Sequence, residues 1–271
     1  PAGRKMALTP APVGKWCDAH EIECRRIRSV NEPEFFELLK AESPDIIVVV
    51  SFGQILKEPI LNLPKFCCLN VHASLLPKYR GAAPIQWAVL NGDKITGVTT
   101  MYLASEMDTG DIIYTSETEI GEFETSGELF DRLMIMGAEL LDRTLRDIEA
   151  GTAPRTPQDH SKASYVKMLD KSLSPIEWAK TPREVIKQIY GLQPWPVATA
   201  ELDGKVFKIY SAEYTQNKTD KAPGSVVSAG KKGIEIACLD GETVLITELQ
   251  AAGKKRMKAS DYLLGHPIKV D

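Results

Sequence analysis

The fold of this chain is decided by residues 68–81, which read CLNVHASLLPKYRG. The stretch begins as an apolar run and then places an amide and an imidazole two residues apart, at Asn70 and His72. Because residues i and i+2 of a strand point to the same face, these two side chains can reach one spot. Pro77 and Gly81 then break the strand into a loop, where functional sites usually form. The stretch therefore predicts a strand that ends in a candidate site.

Strands and helices alternate on both sides of this stretch. Residues 45–51 form a continuous β-branched run, which is typical of a strand buried on both faces. Further strands are predicted at residues 96–103 and 112–117, and a capping box at Thr125 opens a long amphipathic helix. The pattern predicts an α/β domain over residues 1–152, built on a mostly parallel, Rossmann-like sheet. Because no apolar strand precedes the first loop, we expect this sheet to lack its N-terminal strands.

The character of the sequence changes after the long helix. Residues 153–175 contain prolines, serines and threonines with little periodicity, which predicts an interdomain linker. From residue 176 onward a short helix precedes several short strands of period two, and Asp203-Gly204 is a hairpin signal between two of them. Short strands in this number indicate a small barrel or a sandwich. We predict that residues 176–271 form a C-terminal β-barrel of OB-like type.

Charge and cysteine content limit the classes of function. The net charge of −4 is unevenly divided, because residues 161–271 carry 17 Lys and Arg against 13 Asp and Glu, whereas residues 1–160 carry 16 against 24. A basic C-terminal part favours a polyanionic partner. The five cysteines form no CxxC pair, which argues for a reducing compartment and against a structural zinc site. No apolar run is long enough to cross a bilayer.

His72 is the one histidine of four that ends an apolar strand. Taken alone, a structural role would be the better interpretation, but Asn70 shares its face and Asp108 lies in the loop after the strand at residues 96–103. Loops at the carboxyl ends of parallel strands meet at one crevice, so Asp108 is expected beside His72. An amide and an imidazole can stabilise a developing oxyanion, and a carboxylate can assist by orienting the imidazole ring. No GxSxG elbow frames Ser74 as a nucleophile, and no third ligand completes a metal site.

Three motifs follow one another along the first domain: NVHASLLP at residues 70–77, RGAAPI at residues 80–85 and MDTGD at residues 107–111. Together they resemble the 10-formyltetrahydrofolate-dependent formyltransferases. Within that superfamily the chain is most similar to the branch that acts on initiator methionyl-tRNA. This similarity rests on RGAAPI and on three further segments, which are PAGR at residues 1–4, LQPWP at residues 192–196 and AGKKRM at residues 252–257.

The resemblance implies roles for individual residues. Asn70, His72 and Asp108 are expected to be catalytic, and 10-formyltetrahydrofolate is expected as co-substrate, without a metal. Four residues are expected to line the folate pocket: Ser74, Leu75, Leu76 and Pro77. The C-terminal domain is expected to bind the initiator methionyl-tRNA, and basic residues near both ends would contact it: Arg4, Lys254, Lys255, Arg256 and Lys258.

Two other classes of function stay open on the sequence. One is a formyltransferase for a small amine, or a formyl-folate hydrolase, although neither needs a basic β-rich domain. The other is a nucleic-acid-binding module whose α/β part is inactive. We expect a monomer without membrane association. A bacterial cytosol is the simplest compartment, with an organelle as the alternative.

Overall fold

The protein is described from a computed structural model, in which residues 11–271 are defined. Its first half contains both helices and strands, as the hydrophobic pattern predicts, although they do not alternate strictly. In chain order these elements are α1 (Pro12–Ala19), α2 (Pro33–Glu42), β1 (Ile46–Val50), α3 (Glu58–Leu61), β2 (Cys67–His72), β3 (Arg80–Gly81), α4 (Pro84–Leu90), β4 (Ile95–Tyr102), β5 (Ile112–Glu119) and α5 (Ser126–Glu149).

The sheet of this half has the order β1-β2-β4-β5. Strands β1 and β2 are parallel, but β2 pairs with β4 in antiparallel fashion, with His72 opposite Thr99, and β4 pairs with β5 likewise. The prediction of a mostly parallel sheet is therefore wrong for the described residues, where the sheet is mixed. A continuous apolar run alone does not fix strand direction, and in β1 it does not mark burial on both faces either, because Val48 and Val50 are exposed. The connection between β4 and β5 is also shorter than a parallel crossover, which needs about a dozen residues.

Helix α5 covers one face of this sheet. Its predicted capping box is confirmed, because the Thr125 hydroxyl accepts from the Glu128 amide while the Glu128 carboxylate accepts from the Thr125 amide. Leu129 and Leu133 are buried on its inner stripe. The Thr144 hydroxyl lies 2.9 Å from that of Thr100 in β4. The apolar side of α5 thus packs on the sheet, and its charged side faces away from the sheet.

Residues 153–175, predicted as a linker, pack along the first half. Thr156 forms an isolated bridge with Ile112, and the short strand β6 (Tyr165–Val166) pairs in parallel with β3. Two 3₁₀ turns, His160–Lys162 and Lys171–Leu173, complete the segment. Low periodicity here reflects irregular backbone. Most of these residues are exposed, the bridges at Thr156 and at β6 tie the segment to the first half, and Pro175 bridges to Thr199 in the second half.

The second half begins with α6 (Pro182–Gly191) and continues as a mainly β unit. Its elements are β7 (Ala198–Leu202), β8 (Lys205–Lys218), β9 (Val226–Gly230), β10 (Gly233–Ala237), β11 (Glu242–Ala251), β12 (Met257–Lys258) and α7 (Ala259–Gly265). The sheet is antiparallel with the order β7-β8-β11-β10-β9, and β12 pairs with β11. The predicted hairpin at Asp203-Gly204 joins β7 and β8. Closure of this sheet into a barrel stays a prediction.

Helix α6 lies at the junction of the two halves. It packs against α4 and also against β8 and β11. The buried Lys187 donates to the carbonyl of Glu122 at 2.5 Å, and the Ser126 hydroxyl donates to the carbonyl of Gly191 at 2.7 Å. One connected apolar core runs from Leu129 in α5 to Ile246 in β11. The two halves therefore share a core across this junction.

Candidate active site

A cavity of about 700 Å³ opens where β1 and β2 end. Its walls include the loop after β1, the end of β2, the start of α4 and the loop after β4, together with Phe130 of α5 and residues 166–168. Asn70, His72 and Asp108 all line it, and 9% of Asn70 and 6% of His72 are exposed. The size suits a small-molecule ligand. The cavity thus brings together the three residues that were predicted to be catalytic.

The ring of His72 is held at one nitrogen. Its Nε2 lies 2.9 Å from the carbonyl oxygen of Tyr79. A carbonyl only accepts hydrogen bonds, so Nε2 carries the hydrogen and donates. The other nitrogen, Nδ1, lies 3.8 Å from Oδ2 of Asp108. This arrangement leaves Nδ1 as the nitrogen that can exchange a proton or donate to a ligand.

Tyr79 positions the carbonyl that holds this ring. Its φ of +60° lies in the left-handed region, which is uncommon for a bulky residue and costs conformational energy. Its amide donates to the Ser164 hydroxyl at 2.9 Å, and its own hydroxyl donates to Asp93 at 2.8 Å. Burial raises the pKa of Tyr79 to about 12, so the hydroxyl stays protonated and keeps this bond. Hydrogen bonds of both its amide and its hydroxyl thus hold Tyr79 in this strained conformation.

Asp108 is fixed through its carboxylate and its backbone. Oδ2 accepts from the amide of Gly81 at 2.8 Å, and the residue has a φ of +55°. Two positions later Gly110 is required, because a Cβ there would lie 1.8 Å from the carbonyl oxygen of Tyr102. The loop therefore presses closely against the end of β4.

The predicted approach of Asp108 to His72 is correct, although the expected route is not. Because β4 runs antiparallel to β2, it ends beside the start of β2, where the Leu103 amide donates to the carbonyl of Cys68 at 2.9 Å. The loop after β4 has to turn back along the sheet before Asp108 reaches the ring. The close approach of Gly110 to the carbonyl of Tyr102 allows the loop to make this turn.

Sequence reasoning missed a group of polar residues behind the cavity wall. Arg80 is 1% exposed, and its guanidinium bonds Gln158, Tyr165 and His160. Gln158 in turn reaches the loop that carries Asp108. In the sequence, only the RGAAPI motif at residues 80–85 points to Arg80. Gln158 lies in the predicted linker, where no pattern marked it.

The four residues predicted to contact folate do not line the cavity. Ser74 is fully buried, its hydroxyl donates to the carbonyl of Lys78 at 2.6 Å, and its carbonyl accepts from the Thr99 hydroxyl at 2.6 Å. Leu76 is also buried, and its amide donates to the same hydroxyl at 3.2 Å. Leu75 and Pro77 are half-buried beside them. These contacts tie the loop to β4, and a role in folate binding stays a prediction.

The predicted tRNA contacts comprise Arg4 near the start of the sequence and four basic residues within residues 254–258, and their surroundings differ. Arg4 falls outside the described residues. Lys254, Lys255 and Lys258 are exposed. Arg256 forms an ion pair with Glu248 and lies 4.6 Å from the centre of the Tyr210 ring. Its charge is therefore already partly compensated.

Two kinds of feature are absent from residues 11–271. No group of three or more His, Cys, Asp or Glu side chains is placed to hold a metal ion in this part of the chain. None of its helices is both long and apolar enough to span a membrane.

Two family models match the sequence. The model described as formyl transferase matches residues 1–145, and the model described as formyl transferase, C-terminal domain, matches residues 168–267. A methionyl-tRNA formyltransferase from Clostridium novyi is 43% identical over 272 residues, which cover 100% of this chain and 88% of that protein. One from Bacillus velezensis is 43% identical over 269 residues, which cover 99% of this chain and 85% of that protein.

Solved structures share the fold. HypX from Aquifex aeolicus, in complex with tetrahydrofolic acid, superimposes with a TM-score of 0.64 at 20% identity, over 89% of this chain and 42% of that one. WlaRD, a sugar 3N-formyl transferase solved in the presence of dTDP and 5-N-formyl-THF, also gives a TM-score of 0.64, at 19% identity over 89% of this chain and 81% of that one. At such low identity the likeness concerns the fold alone.

Proposed function

Because the chain belongs to the methionyl-tRNA formyltransferase family, we propose that it transfers a formyl group from 10-formyltetrahydrofolate to the α-amino group of initiator methionyl-tRNA. The observation that carries the mechanism is the placement of Asn70, His72 and Asp108 around one cavity. Each supplies a group that acyl transfer needs: a donor, a proton-exchanging ring and an anion.

The reaction is a direct transfer between two nitrogens. The neutral α-amine attacks the formyl carbon, and a tetrahedral intermediate forms with a negative oxygen. The bond between this carbon and N10 of the folate then breaks, and the proton lost by the amine ends on N10. No covalent intermediate on the protein is required.

The oxyanion is stabilised by Asn70 and His72. Asn70 donates from its side-chain amide, and the His72 ring donates from Nδ1 once that nitrogen is protonated. Since Nε2 is committed to the Tyr79 carbonyl, the ring cannot rotate away from the reacting atoms. Preorganised donors of this kind are typically worth about 10²–10³ in rate each.

Asp108 balances charge and moves the proton. Its Oδ2 lies 3.8 Å from Nδ1 of His72, beyond a direct hydrogen bond but close enough for a strong charge interaction in a buried site. The amine proton can pass to this pair, either directly or through one water, before it reaches N10. The Gly81 amide keeps Oδ2 at this position throughout.

The folate is proposed to occupy the cavity between two loops. The loop after β1 contributes Phe52, Ile55 and Leu56, and the loop after β4 contributes Leu103 and Met107. Apolar walls with a few polar groups suit the flat pterin ring of a folate, and N10, which carries the formyl group, lies just outside that ring.

The tRNA is proposed to be bound by the C-terminal half and the basic residues near both ends of the chain, which include Arg4. The exposed Lys254, Lys255 and Lys258 are available to contact phosphates. The protein is proposed to act as a monomer in a bacterial cytosol, without membrane association, and the C-terminal sheet to close as an OB-like barrel.

One assay separates this function from its alternatives. The protein is incubated with 10-formyltetrahydrofolate labelled in the formyl group, together with methionyl-tRNA, with an amino-sugar nucleotide, or with neither. Label on methionyl-tRNA supports the proposal. Label on the sugar, free formate without an acceptor, or no turnover would each contradict it and point respectively to a small-amine transferase, a hydrolase or an inactive binding module.

A further inference from the structure

Arg80 is a buried cation that lies behind the candidate active site. Its side chain forms no ion pair with any residue of the described part of the chain; instead, neutral groups accept from it. Nη2 and Nε donate to Oε1 of Gln158 at 2.7 and 3.2 Å, and Nη1 donates to the Tyr165 hydroxyl at 2.9 Å. Burial of a charge without an anion is costly, so these bonds have to compensate for lost hydration.

Gln158 joins this cation to the loop of Asp108. Its Nε2 donates to the carbonyl of Asp108 at 2.9 Å and to that of Gly110 at 2.7 Å. A guanidinium only donates and a carbonyl only accepts, so the amide has one orientation that satisfies every partner. Gln158 is 5% exposed, and water does not compete for these bonds.

The bonds close a ring around Asp108. From Arg80 the path runs through its side chain to Gln158, then to the backbone of Asp108 and through its carboxylate to the amide of Gly81, which follows Arg80 in the chain. The carboxylate of Asp108 is therefore bonded directly to β3, and its backbone is bonded to β3 through Gln158. A shift of the loop would break bonds on two sides of the ring.

We propose that Gln158 is a positioning residue that sets the distance between the Asp108 carboxylate and the His72 ring, with Arg80 fixing the orientation of its amide. This inference rests on the proposed role of Asp108. Gln158 does not line the cavity and has no hydrogen bond to the His72 ring, so its effect on the rate would pass through Asp108.

Gln158→Glu is the sharpest test. The new carboxylate keeps the partnership with Arg80 and gains an ion pair, but it loses both donors to the carbonyls of Asp108 and Gly110. We expect kcat to fall on the order of 10²-fold, as displacements near 1 Å can cause, while the ion pair with Arg80 offsets part of the stability that is lost with the two bonds. KM for methionyl-tRNA should change less than kcat, because the acceptor does not contact this ring of bonds.

Gln188→Glu provides a matched control. Gln188 in α6 also donates from Nε2 to two backbone carbonyls, those of Leu173 and Pro175, at 2.9 and 2.8 Å. The substitution removes the same kind of bond outside the cavity lining, so kcat should stay near that of the wild type. A large loss of kcat in this control as well would overturn the proposal, since the loss of any glutamine donor would then be enough to lower kcat.

A double variant tests whether Gln158 acts through Asp108. If it does, Gln158→Glu adds little to the loss caused by Asp108→Asn, whereas independent roles would multiply the two losses. Multiplied losses, or a kcat of Gln158→Glu within about twofold of the wild type, would overturn the inference. Neither result would touch the proposed function, which fails only if the wild-type protein does not formylate methionyl-tRNA.

Discussion

Two regions of the molecule bury a charge among neutral partners, and they do so to different ends. In the first half Arg80 is 1% exposed and bonds side chains that lead to the cavity. In the C-terminal sheet Glu235 is 7% exposed and accepts from Asn217, Ser228 and Thr243. Both charges are satisfied by hydrogen bonds instead of an opposite charge.

The difference lies in where the partners are. The partners of Glu235 lie on β8, β9 and β11, so its bonds tie β10 to strands of the same sheet. Gln158, the main partner of Arg80, lies in irregular backbone and continues to the loop of Asp108. A buried charge whose bonds stay within one sheet supports the fold, whereas one whose bonds reach a loop at a cavity can support a reaction.

The largest effect should follow from changes to the groups that are proposed to touch the reacting atoms. His72→Ala removes a proposed oxyanion donor and should lower kcat by about 10²–10³. Formylation of methionyl-tRNA at saturating substrates measures this, and Glu235→Gln should leave kcat near the wild-type value. Equal kcat values for both variants would erase the distinction between the two regions.

Arg80→Met should lower both stability and rate. The substitution leaves Oε1 of Gln158 buried without its donors, which costs about 1–3 kcal/mol in the free energy of unfolding. The rate should fall as well, because the Gln158 amide loses the partner that orients it. Urea unfolding and kcat measure the two effects.

The control for Arg80→Met is Arg146→Met. The Arg146 side chain is 76% exposed and pairs with Asp142 on the helix surface. Such pairs contribute about 0–1 kcal/mol, so this variant should keep nearly all stability and activity. A loss of stability in Arg80→Met with an unchanged kcat would assign Arg80 to the fold alone.

Glu235→Gln should change how stability depends on pH. Burial raises the pKa of the Glu235 carboxyl, but hydrogen bonds from Thr243, Asn217 and Ser228 outweigh it and hold the pKa below its ordinary value of 4.5. A depressed pKa contributes stability above the ordinary value, and this contribution is lost as pH falls through the folded-state pKa. The variant should be less stable at neutral pH, by about 1 kcal/mol, and its stability should decline less in acid. Urea unfolding over this range is the measurement, and an unchanged pH profile would contradict it.

The smallest effect is expected at the basic turn after β11. Lys254→Ala combined with Lys255→Ala should raise KM for methionyl-tRNA and reduce the slope of log affinity against log salt by about one for each lost phosphate contact. Lys65→Ala, an exposed lysine after α3, is the control and should leave the slope unchanged. A slope that does not respond to the double substitution would place the tRNA elsewhere on the surface.

The sequence predicts the parts of the site that depend on strand periodicity. Asn70 and His72 share a face because they are two residues apart, and the structure places both at the cavity. The capping box at Thr125 is also confirmed, since such signals are local in the chain.

Features that depend on distant contacts could not be predicted in this way. Strand direction is one, because the residue pattern of β4 looks the same in either orientation. The role of Gln158 is another: its partners Arg80 and Asp108 are 78 and 50 residues away, and its own segment has no periodicity. An irregular segment that is bonded to a domain and a free linker share the same composition of Pro, Ser and Thr.

The shared core at α6 has a consequence for how such a protein can diversify. The helix presents one surface to α4 and another to β8, so neither half has a complete interior of its own. A C-terminal half taken from another protein would have to bring a matching helix and find a matching surface on α4 and α5. The two halves are therefore poor modules for recombination. New acceptor preferences are more readily reached by substitutions on the exposed turns of the existing sheet than by exchange of the whole unit.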